Sequence, residues 1–297
     1  MPLGSEDPSA TASIRPVFET LASILAPIGV ITALLYYFGW VRSGSYFGYF
    51  GLDQRILGLS SQDYLVRSAN VAFRPILVLL AVSAAGLWAH AFMTRSIGRP
   101  WMNSLSLRRL TIVLRWLVIA LLILTALSVD DYVPRMIGAI ALGGASTIGG
   151  YTAWLSSRQT ADASDEAEGG TGLSPSLHGV LVLALSGLLF SLFWATALYA
   201  QRDGQRLAEY TSRYTNSLPA VEIYSTRRLQ IIGPGVTVRD LELDNLAAYR
   251  FHYSGLRLLI SSSDRWILIP EGWSRTNRAS VIILRDSNED IRLELHP

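Results

Sequence analysis

The run Leu110–Val129, LTIVLRWLVIALLILTALSV, holds a single charge, Arg115, in twenty residues. Hydrocarbon is about 30 Å thick and offers peptide groups no water, so a helix of around twenty apolar residues is what crosses it. Arg115 is close enough to one end of the run to snorkel. Four more runs read the same way: Leu21–Trp40, Pro75–Met93, Met136–Leu155 and Gly179–Ala200. Leu21–Trp40 ends in Tyr36, Tyr37, Phe38 and Trp40, residues suited to the headgroup level. Pro75 is read as a first-turn proline just after Arg74. The third and fourth runs are joined only by residues 130–135, which makes them antiparallel neighbours.

Composition agrees. Half of the 297 residues are hydrophobic and only 16% are charged, against roughly a quarter in soluble domains. A net charge of +2 argues against nucleic acid as a partner. The chain has no cysteine, which excludes disulfides, thiolate metal sites and cysteine nucleophiles. The first run exceeds the length of a signal-peptide core and is preceded by acidic as well as basic residues, so it reads as a retained span. Arg95, Arg99, Arg108 and Arg109 form the densest basic cluster beside any run. Arginine bias then places that link and the amino terminus in the cytoplasm and the carboxyl-terminal region outside.

Between the first two runs, Val41 to Asn70 interleaves Tyr46, Phe47, Tyr49 and Phe50 with Gly44, Gly48 and Gly51. Two readings stand: an aromatic belt in the membrane interface, or a re-entrant, ligand-gating element. Ser60 followed by Asp63 reads as a capping-box variant opening a short amphipathic helix toward Arg74. Residues 156–176 read as a disordered acidic linker, without the spacing of a calcium loop.

Past Ala200 the helical pattern continues through Leu207, Tyr210 and Tyr214, and residues 201–218 read as a helical connector. From 219 to 297 the period becomes two. Val221 and Ile223 open a strand, and Gly233-Pro234-Gly235 makes a turn before Val236 and Val238. Tyr249, Phe251 and Tyr253 share a face opposite Arg250 and His252, and Gly255 marks a bulge or bend before Leu256 and Leu258. Trp266 to Ile269 follows a turn, and a last hairpin pairs Val281–Leu284 with Ile291–Leu295, whose isoleucine and leucines face the core. The fold class is therefore a membrane α-helical part, residues 1–200 with about five transmembrane helices, plus a small all-β domain, sandwich or barrel-like, at residues 219–297.

Chemistry is sparse. None of the four histidines, His90, His178, His252 and His296, belongs to a recognisable motif, and no cofactor or metal ligand is assigned. Ser186 before Gly187 lacks the context of an intramembrane serine protease. Ala139 with Gly143, Ala145 with Gly149, and Ser146 with Gly150 are small residues four apart, the pattern of closely packed helices within a chain or between copies. Arg250, His252 and Arg257 form a candidate cationic strip for an anionic ligand, headgroup or protein partner, or else a solvated sheet face.

The combination of Tyr46-Phe47-Gly48, Asp63-Tyr64-Leu65 with Arg67, and Tyr249 to Leu259 resembles a group of multi-pass bacterial membrane proteins of no assigned activity. That resemblance implies the architecture and brings no ligand or catalytic residue. The leading reading is a non-enzymatic membrane protein that displays its β domain for sensing, scaffolding or binding a partner or envelope component. Its alternatives are a transporter of an apolar or lipid-like substrate and, last, a membrane-embedded enzyme. The partners implied are the lipid bilayer and, through the glycine pattern, a second copy of the chain.

Overall fold

A computed structural model describes residues 8–97, 104–130, 132–164, 175–241, 248–262, 264–277, 279–286 and 290–296. Five long helices precede six strands: α1 (Pro8–Tyr49), α2 (Ser61–Ile97), α3 (Ser104–Val129), α4 (Arg135–Ser164), α5 (Pro175–Arg213), then β1 (Ala220–Ser225), β2 (Thr237–Asp240), β3 (Phe251–Ser262), β4 (Arg265–Pro270), β5 (Ile282–Arg285) and β6 (Ile291–His296). Packing divides the chain into two units, one of residues 72–200 and one of residues 1–71 together with 201–297.

Within residues 72–200, α4 lies against α3 and α5. The small residues make this possible: Ala139 and Ala145 are buried, and Ser191 on α5 donates a 2.6 Å hydrogen bond to the Ala139 carbonyl. A side chain at Gly143 would meet Ser191, one at Gly150 would meet Ala184, and Gly187 faces Ser146. Gly149 is turned toward Val118 on α3. Three described helices are long and apolar enough to cross a membrane, over Val71–Trp88, Thr111–Val129 and Leu177–Arg213. The runs Leu21–Trp40 and Met136–Leu155 lie on α1 and α4; in the latter, glycine, serine and threonine dilute the apolar character.

The second unit departs most from expectation. Residues 41–49 and 61–70 are helical, and the aromatic residues of this stretch pack into protein. Helix α1 runs 42 residues without a break to Tyr49, and its last turns enter a protein core. Tyr46, Phe47, Phe50, Leu52 and Leu57 are buried in one cluster with Leu259, Ile267, Ile269 and Trp273 of the β region. Burying those rings against the sheet removes their apolar surface from solvent. The rings pack edge to face, Tyr46 on Phe47 with centroids 5.0 Å apart, and Phe50 lies 4.8 Å from Trp273.

Helix junctions fix α1 in place. Arg42 pairs with Asp203 of α5 at 2.7 Å and donates to the Arg67 carbonyl of α2 at 3.3 Å. Gly39 has no room for a side chain against the Tyr64 backbone. The chain then turns through a short 3-10 segment, Gln54–Leu57, capped by Asp53 and closed by Gly58. The Ser60–Asp63 box forms as read from sequence: the Ser60 amide donates to Asp63 Oδ2 at 2.8 Å and the Asp63 amide donates to Ser60 Oγ at 3.2 Å. It opens α2 itself. Pro75 is therefore inside α2 and not in a first turn, and costs the bond its missing N–H would make to Val71.

Those hydrogen bonds from Ser60 hold the Asp63 carboxyl below its ordinary value. A depressed carboxyl adds stability that is complete above the unfolded value, about 3.9, and is lost as pH falls through the lowered folded value. Ser60→Ala should cost about 1 kcal/mol at pH 7. Thermal unfolding in detergent should show the gap to the parent protein closing as pH drops below that range.

Residues 156–164 continue α4 as helix, where a disordered linker was expected; the acidic positions 165–168 lie outside the described residues. The sheet is antiparallel in the order β5-β4-β3-β1-β6, with β2 also on β3. The final hairpin does not form: β5 pairs with β4, and β6 pairs with β1. Both edges instead send Ile282, Leu284, Ile291 and Leu293 onto one cluster built on Val221, Ile223, Tyr253, Leu256 and Leu268. The sheet curls around that cluster, so both edge strands reach it from opposite ends of the strand order. Leu295, expected in the core, is half exposed. Gly255 is the bulge foreseen, at φ +82° opposite a register shift in β1.

Candidate functional site

Alternation along the strands gives the sheet two faces. Leu268 joins the curled core, whereas its neighbours Ile267 and Ile269 pack beneath the end of α1. On that second face, β1, β3 and β6 carry polar side chains. Register sets Glu222 opposite Glu294 and Tyr224 opposite both Arg292 and His252. Glu222 is the hub. His252 Nε2 lies 3.0 Å from its Oε2, the Tyr224 hydroxyl donates to the same oxygen at 3.3 Å, and His296 Nε2 is 3.8 Å away. The His252 hydrogen bond holds the Glu222 carboxyl below its ordinary value, so it is ionised at neutral pH. Tyr224 stacks on His252 with centroids 4.6 Å apart. Arg292 binds Glu294 at 2.8 Å.

The structure gives each member of the expected cationic strip its own carboxylate. Arg257 binds Glu271 at 2.6 Å and the Leu218 carbonyl at 3.1 Å, bracing the start of β1 and the turn after β4. Arg250 is 3.9 Å from Asp240 and lies over the Phe251 ring. His252 is engaged by Glu222. Elsewhere, Arg115 reaches Ser156 of α4 at 3.5 Å, and His90 falls outside the described side chains.

Sequence reading missed the cluster of Glu222, Glu294 and His296, whose ligand atoms all lie within 4.8 Å of one another. The signal that could have found it is Glu-x-His at the end of a strand, since residues two apart share a face. A hollow of about 540 Å³ lies between α1 and α5, lined by Trp40, Gly44, Tyr49, Gln54, Gln205 and Arg275 among others. No family model, curated protein or solved structure matches the chain.

Proposed function

We propose that this is a multi-pass membrane protein, with about five spans and no catalytic role, that displays its β domain at the membrane surface to sense, scaffold or bind a partner or envelope component. The shared core of α1 and the sheet carries this reading. A β domain on a flexible tether would need no aromatic seat, whereas here the sheet closes over Phe47 and Phe50, residues that continue the helix bearing Leu21–Trp40. Such a join transmits position between a bilayer-embedded helix and a polar sheet face. The described stretches Val71–Trp88 and Thr111–Val129 contain only Arg74 and Arg115 as charges, which supports anchoring over ion transport.

The absence of cysteine makes the topology directly testable. In the orientation we favour, with the amino terminus cytoplasmic, Thr276→Cys reacts with an impermeant thiol reagent on intact cells, and Ser104→Cys reacts only after permeabilisation. The reverse labelling pattern would reverse the orientation. Release of the protein from membranes by carbonate or high salt alone would remove the integral-membrane reading.

A further inference from the structure

We infer that Glu222, Glu294 and His296 form a binding site for a divalent transition metal, with Zn2+ the best-fitting ion. The sheet register does the placing. Glu294 and His296 are two apart on β6 and so share a face, and Glu222 sits directly across from Glu294 on β1. Their three ligand atoms lie within 4.8 Å of one another. In a tetrahedral zinc site with bonds of about 2.0–2.2 Å, ligand atoms stand roughly 3.3–3.5 Å apart.

The donor set narrows the ion. An imidazole nitrogen with two carboxylates suits zinc and its transition-metal neighbours, while calcium and magnesium prefer all-oxygen sites. Two carboxylates facing each other across a ladder repel, and a cation between them turns that repulsion into attraction. Arg292 already offsets part of the charge at Glu294. Around the ligands, His252 and Tyr224 hydrogen-bond Glu222 Oε2, the kind of contact by which outer partners orient a metal-bound carboxylate. His296 is half exposed, so an ion held by three protein groups keeps a position for water or an incoming ligand. A hollow of about 310 Å³ lined by Tyr224, Leu241, Ala248, Tyr249, Arg292 and Glu294 adjoins the cluster and gives such a ligand room.

The test uses the full chain, purified in detergent without a polyhistidine tag and stripped with chelator. Calorimetric titration with Zn2+ should show one site per chain that a large excess of Ca2+ or Mg2+ does not displace. Glu294→Gln and His296→Ala should each weaken it at least about 100-fold, and His252→Ala, an outer partner, about 10-fold. Substitution by Co2+ should give the visible absorption of a tetrahedral site, lost in Glu294→Gln. Metal-free thermal midpoints of the variants, unchanged from the parent, separate ligand loss from misfolding. Absence of saturable binding at about 100 μM Zn2+ overturns the assignment, as does binding that survives both ligand substitutions.

Discussion

Phe47→Ala should open the sheet. The ring is fully buried, packs edge-on against Tyr46, and lies beneath the Arg67 guanidinium at 5.6 Å. Removing a buried phenylalanine costs about 3–5 kcal/mol, the sum of lost transfer energy and the cavity left behind. The neighbours cannot collapse into the space, because α1 is held by Arg42 to Asp203 and by the Gly39 contact to α2. Hydrogen exchange on β4, whose Ile267 and Ile269 share this cluster, should quicken by about 100- to 4,000-fold. Phe47→Leu fills most of the volume and should shift it far less. Unchanged exchange in the alanine variant would mean that the sheet does not depend on α1.

Gly255→Val acts on the other side of the sheet by a different mechanism. Gly255 has φ +82°, which a β-branched residue barely occupies, and an added Cβ would run into the Gly235 carbonyl. Its own carbonyl also accepts the Glu271 amide at 2.9 Å. The bulge lets Tyr253 and Leu256 both point into the curled core, Tyr253 opposite Ile223 and Leu256 opposite Val221. Losing it puts one of them on the wrong face, and the expected cost exceeds about 4 kcal/mol. The variant should be recovered with its β region cleaved by trypsin under conditions that leave the parent intact. Parent-like protease resistance would contradict the role given to the bulge.

How much of this was legible from residue order varies by element. Span-length apolar runs and period-two strands show themselves locally, since each is a pattern repeated within one segment. The Ser60–Asp63 cap and the Gly255 bulge were readable for the same reason: side-chain chemistry and backbone freedom act over a few residues. The seat of the sheet was not. Tyr46, Phe47 and Phe50 carry one hydropathy signal whether they face lipid headgroups or Ile267, and the partner lies some two hundred residues on. The last hairpin failed likewise, because a short link between two strands suggests a ladder, while the choice of edge is made by which strand needs covering. Arg250, His252 and Arg257 were legible as a polar strip, but the carboxylates that bind them come from β1, β2 and the turn after β4.

Expressing residues 219–297 alone is the most direct examination of the shared core. Without Tyr46, Phe47, Phe50, Leu52 and Leu57 the face bearing Leu259, Ile267 and Ile269 is uncovered. The isolated segment should show no cooperative thermal transition and no slowly exchanging amides in β3 and β4. A sharp transition at the temperature where the sheet unfolds in the full chain would contradict it.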